Sequence, residues 1–170
     1  MGQDDTKHNL LFISKYPQII HEFTDAMKDR DIEIETAING IEAAAKIKKK
    51  NYDIVITGLS LEGYNGEQII TYLNKTAPST VCIIYTTTIS SAQLHFFINE
   101  RNVFRVFLRP VDFRGAFWEA LEEAYEYHAV QVKNEEDTGA RRQEQEKQER
   151  EIEIMDPVSY THLTLPTNRE

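Results

Sequence analysis

A single cysteine, Cys82, in 170 residues excludes a disulfide framework, and its place inside the apolar run VCIIY marks it as a buried structural thiol. Basic residues are short as well, with 19 Lys and Arg against 28 Asp and Glu and a formal net charge of −9. A broad electrostatic grip on nucleic acid needs a basic face, so that class of function is set aside. No apolar run approaches the ~20 residues that cross a bilayer, and the polar start MGQDDTKHN carries no secretory pattern. A soluble cytoplasmic protein without a membrane partner is expected. His21, His95 and His128 are scattered without ligand spacing, and His8 falls in the polar N-terminal stretch. Neither a metal centre nor a cofactor is expected.

What the chain does have is alternation. Short apolar runs at Leu10–Ile13, Ile32–Thr36, Asp53–Thr57, Val81–Tyr85 and Val103–Leu108 read as strands. Between and after them, Pro17–Lys28, Ile41–Lys50, Gly66–Lys75, Ser91–Glu100 and Phe113–His128 carry helical spacing. Ile19, Ile20, Phe23 and Met27 form one apolar stripe, and Phe113, Phe117, Ala120 and Ala124 another. Asn39 with Glu42, Asn65 with Gln68, and Ser90 with Gln93 have capping-box spacing at helix starts. Five βα units in succession imply a doubly wound parallel sheet, a flavodoxin-like (βα)5 fold of the α/β class.

Charge placement suggests the strand order. LLFI, DIVIT and VCIIY are nearly continuous apolar runs, as expected of strands covered on both faces. IEIET alternates Ile with Glu, and VFRVFL carries Arg105, so both belong at sheet edges. The order 2-1-3-4-5 follows.

The tails differ from this body. Residues 1–8 read as a disordered N-terminus, 9–130 as the folded domain, and 131–155 as a charged helix or linker. Residues 156–170, DPVSYTHLTLPTNRE, match neither the linker nor the domain and are similar to a peptide produced by adapter read-through. They are expected to be non-native, with the natural chain continuing past Met155 into an output domain that is missing here.

Ligands of such sheets bind outside the carboxyl ends of the strands. Ser14 and Lys15 arrive there after the first strand, Gly58 after the third, Thr86 and Thr87 after the fourth, and Arg109 after the fifth. NYDIVITGLSLEGYNG and FRVFLRPVD resemble the third-strand and fifth-strand motifs of the receiver domain of bacterial response regulators. The resemblance implies an aspartyl-phosphate switch built from an acidic metal-binding pair, an acceptor aspartate, a lysine before proline, an aromatic and a hydroxyl. Those positions fall on Ser14 and Lys15, Gly58, Arg109, Val106 and Thr86 respectively. Only the hydroxyl is kept. Glycine offers no nucleophile, and an ammonium near the metal position repels a divalent cation. A degenerate pseudo-receiver, not an enzyme, is therefore expected.

Two other readings stand beside it. Lys15 and Arg109 with Thr86 and Thr87 form a candidate cationic pocket for an anion or nucleotide. Alternatively, a displaced nucleophile such as Thr57 keeps phosphoacceptor activity. Partners are expected on the face made by the fourth helix, fifth strand and fifth helix, which the resemblance implies as a docking or self-dimerisation surface, with Phe96, Phe97, Trp118 and Tyr125 as its candidate residues.

Overall fold

Three apolar runs form the middle of the sheet: β1 (His8–Ile13), β3 (Ile54–Thr57) and β4 (Val81–Thr86). Leu10, Leu11, Phe12, Ile54, Val55, Ile56, Ile83 and Ile84 have no solvent exposure. Burial on both faces is what allows continuous β-branched and aliphatic residues there. The edges are β2 (Ile32–Ala37) and β5 (Val103–Leu108), and all five strands are parallel in the order β2-β1-β3-β4-β5. The charge-based order is therefore correct. On β2, Glu33 and Glu35 turn outward to Lys50 at 3.4 and 2.8 Å; on β5, Arg105 meets Glu123 at 2.8 Å.

The computed structural model describes residues 8–134. The chain divides into two compact units, 1–131 and 132–170. Residues 1–7, residues 135–155 of the expected charged segment 131–155, and the expected read-through tail 156–170 lie outside the described residues.

Helices cover both faces. Against one pack α1 (Pro17–Ala26) and α5, which starts at residue 116 and continues to the end of the described residues. This core is aromatic: Phe12 stacks on Phe23 at 4.2 Å, and Phe113, Phe117 and Tyr85 close around them. Against the other face pack α2 (Gly40–Lys49), α3 (Gly66–Thr76) and α4 (Ser91–Glu100), through Ala43, Ile47, Ile69, Ile70, Leu73 and Phe97. Burying a large apolar side chain is worth about 1.5–3 kcal/mol, so these two layers dominate stability.

The predicted caps form at Asn65/Gln68 and Ser90/Gln93, each a reciprocal box. Asn39 accepts from the Glu42 amide, but the Glu42 carboxylate reaches back to the Ile38 amide instead of its own cap residue. The boundaries shift by a few residues in places. The last helix begins at 116, because residues 113–115 form a turn over the Asp112 side chain, although Phe113 remains buried as expected. His8, read as tail, is the first residue of β1 and pairs with Ile32.

Candidate functional site

A parallel sheet delivers every strand's carboxyl end to one edge, and there the six residues singled out from the sequence converge. Ser14, Lys15, Gly58, Thr86, Thr87 and Arg109 line a shallow pocket of about 60 Å³. Tyr16 lines it too, and sequence reasoning missed it. Ser14 is buried; its backbone N–H donates to Ala37 O and its Oγ accepts from the Tyr16 amide at 3.2 Å. Lys15 Nζ reaches Ser60 Oγ at 3.3 Å. The Arg109 backbone N–H donates to Thr86 O at 2.8 Å, and its guanidinium approaches Thr87 Oγ1 at 3.4 Å. Both cations approach one ring: Lys15 Nζ is 5.4 Å and the Arg109 guanidinium 4.8 Å from the Tyr16 centroid. Burial pushes the Tyr85 hydroxyl's pKa up despite the Arg109 charge beside it.

Gly58 and Gly66 meet at this edge for different reasons. A Cβ on Gly66 would lie 2.1 Å from the Gly58 carbonyl oxygen, so no other residue fits there without moving backbone. A Cβ on Gly58 would meet nothing closer than Tyr85 O at 3.7 Å, an ordinary contact. Position 58 has room for a side chain.

The pocket's chemistry follows from its lining. Its two ionic groups are Lys15 and Arg109, and none of its lining residues is Asp or Glu. Mg²⁺ prefers carboxylate oxygens and keeps its waters, and two nearby cations oppose it. The fully buried Thr57 gives its hydroxyl to Gly58 O at 2.8 Å and does not line the pocket. At about 60 Å³ the cavity is far below the roughly 300–1,000 Å³ of small-molecule sites, too small for a nucleotide. Val106 is half-buried against the α2–α3–α4 core. Burial pushes the Cys82 thiol up to about 12, which leaves it no nucleophilic role.

The opposite end of the sheet carries a second polar constellation that no spacing in the chain reveals. Asp53 accepts from His128 Nε2 at 3.1 Å, faces His8 Nδ1 at 3.6 Å and accepts from the Asn9 amide at 3.3 Å. Asn9 answers by accepting from the Asp53 amide at 2.6 Å. Tyr125 donates its hydroxyl to Asn9 O at 3.0 Å and stacks on His8 at 4.1 Å. His128 Nδ1 lies 2.9 Å from Ser79 O, which can only accept. Both nitrogens of that ring therefore face acceptors, and only the imidazolium donates to both. Burial raises the Asp53 carboxyl, but the bond and charge of His128, the Asn9 amide and His8 together hold it below its ordinary value. Among the described residues no group of three or more His, Cys, Asp or Glu is arranged to hold a metal.

The expected docking face needs correction. Phe97 and Tyr125 are core residues, 2% and 7% exposed. Phe117, Leu121 and Tyr125 follow one i,i+4 row beside Ala120 and Ala124, so the buried stripe of α5 is wider than the sequence reading allowed. Phe96 is half-buried under the Arg101 guanidinium, and Trp118 is half-buried under that of Arg30 at 4.3 Å. The exposed apolar residues on these elements are instead Leu94, Ile98, Leu108 and Tyr127, with Val130 further along α5.

Comparison with known proteins decides the family. Residues 11–115 match the response regulator receiver domain model. The chain belongs to the response regulator receiver family. Its fold is shared by many solved receivers. One is the signal receiver domain of an HD domain-containing protein from Pseudomonas fluorescens Pf-5, 19% identical with a TM-score of 0.69, covering 73% of this chain and 98% of that one. Another is a CheY-like receiver domain protein from Methanospirillum hungatei JF-1, 19% identical with a TM-score of 0.66, covering 72% and 98%. A third is described as an adenylate cyclase from Rhodopirellula baltica, 19% identical with a TM-score of 0.71, covering 78% and 98%. At these identities the likeness to this receiver domain is one of fold. No curated protein matches it. Among the described residues of the receiver domain no helix is long and apolar enough to cross a membrane.

Proposed function

We propose that this receiver-family domain is a regulatory, protein-docking module of a bacterial two-component phosphorelay protein, and that it works without being phosphorylated. The observation that carries this reading is the strand-end pocket, whose ionic groups are Lys15 and Arg109 with no carboxylate beside them. The glycine at position 58 supplies no nucleophile, and Ser14 and Lys15 supply no acidic pair for Mg²⁺. The domain is then not an enzyme, even toward itself. Lys15 and Arg109 act as resident counter-charges, held on Tyr16, Ser60 and Thr87, and keep the loops in one state where a metal and phosphate would otherwise switch them.

Signal output then comes from docking or self-association, in the cytoplasm, through the exposed apolar residues of α4, β5 and α5, with an output domain beyond the charged segment. The direct test follows amide resonances by NMR while Mg²⁺ and then beryllofluoride are added. The expected outcome is no saturable shift at Ser14, Lys15, Gly58 or Thr86. Saturable shifts at those residues with either reagent would overturn the reading.

A further inference from the structure

A larger concavity, of about 530 Å³, lies away from the strand ends, between α2 and α3, and falls within the size range of small-molecule sites. Ala44 and Lys48 wall it from one turn of α2, and Tyr72 and Lys75 from α3. Tyr64, 45% exposed, stands at the approach to α3, and Arg101 closes the side next to the end of α4. The two tyrosine rings and the aliphatic stems of the lysines offer flat apolar contact.

Charge distinguishes this groove from an ordinary crevice between helices. In a chain of net charge −9 it gathers three cations, Lys48, Lys75 and Arg101, against one carboxylate, Glu67. Glu67 belongs to the first turn of α3, where a negative charge already meets the positive end of the helix dipole. Among the described residues neither the Lys48 nor the Lys75 side chain makes a hydrogen bond or ion pair. Arg101 is fixed by Thr71 Oγ1 at 3.1 Å and by the Glu100 carbonyl at 3.2 Å, so its guanidinium is positioned without a carboxylate. Unpaired cations around a concave, partly aromatic wall make a local positive potential on an acidic protein.

We propose that the α2–α3 groove binds a small organic anion with an aromatic or apolar body, its ring against Tyr64 and Tyr72 and its acidic group between Lys48, Lys75 and Arg101. The site is separate from the strand-end pocket and stands whether or not the domain is phosphorylated.

The probe is anilinonaphthalene sulfonate, titrated into the full chain with both dye fluorescence and amide shifts recorded. Binding is expected to saturate, with shifts centred on Ala44, Thr71 and Tyr72. A Lys48→Gln/Lys75→Gln variant should bind about fivefold or more weakly, as expected for the loss of two exposed charge contacts. Its thermal midpoint should fall only slightly, because neither side chain makes a hydrogen bond or ion pair and each supports the fold only through the helix end it occupies. The neutral phenylnaphthylamine should bind with a similar deficit, and Lys15→Gln/Arg109→Gln should bind the dye normally. Non-saturating binding, shifts centred outside the groove, or equal affinity for the parent and the double lysine variant would overturn the proposal.

Discussion

The two ends of this sheet solve the same electrostatic problem in opposite ways. At the amino end a carboxylate is fully matched: Asp53 faces His8, His128 and the Asn9 amide, with Tyr125 closing over the cluster. At the carboxyl end two cations converge with only hydroxyls and one tyrosine ring for company. The first arrangement ties β1, β3 and α5 together, so its partners depend on one another. The second ties down only loops, and its groups are exposed or half-exposed. The amino end is thus built for stability, while the carboxyl end has room for a side chain at position 58 and no carboxylate among its lining residues.

Breaking the matched end should give the largest effect. Asp53→Ala leaves the Asn9 amide and His128 without their acceptor and should cost about 2–4 kcal/mol in urea unfolding. His128→Gln keeps one bond at most and should cost about 1–2 kcal/mol by the same measurement. The pH dependence has a definite sign. Because the fold holds the Asp53 carboxyl below its ordinary value of 3.8, its contribution is complete above that pH and is lost as acid protonates it in the folded state. The acid limb of stability below about pH 4 should flatten in Asp53→Asn, as followed by circular dichroism.

Giving the carboxyl end its missing partner sharpens the contrast from the other side. Gly58→Asp has the space it needs and would face Lys15 and Arg109. Relative to Gly58→Asn, which controls for the change in backbone freedom, it should stabilise the domain by about 0.5–1 kcal/mol at neutral pH. Smallest of all, Lys15→Ala should move stability by no more than about 0.5 kcal/mol, since its amine is exposed and makes one long bond.

Much of this fold was legible because local rules agreed with the global one. Apolar runs marked the central strands, the Glu residues of β2 and Arg105 of β5 marked the edges, and three polar pairs marked helix starts. The strand-end pocket was legible for the same reason, since its residues follow strands whose ends must coincide. Tyr16 was missed because its ring approaches two cations that come from different loops, which no spacing encodes. The amino-end cluster was hidden because its members are distant in sequence: Asn9 and Asp53 are 44 residues apart, and Tyr125 and Asn9 are 116 apart. Only the parallel register and the return of α5 across the sheet bring them together. Phe97 was misplaced because adjacent aromatic residues on a helix do not say which of them faces inward, and Tyr125 because the buried stripe of α5 is wider than its apolar spacing indicates.

The proposed function requires that the strand-end pocket of this receiver domain take up no phosphoryl group. Its most direct test is intact-mass measurement of the full chain after incubation with acetyl phosphate and Mg²⁺. The mass is predicted to remain that of the unmodified protein. A stoichiometric, Mg²⁺-dependent phosphoryl adduct that disappears under conditions hydrolysing acyl phosphates would contradict it.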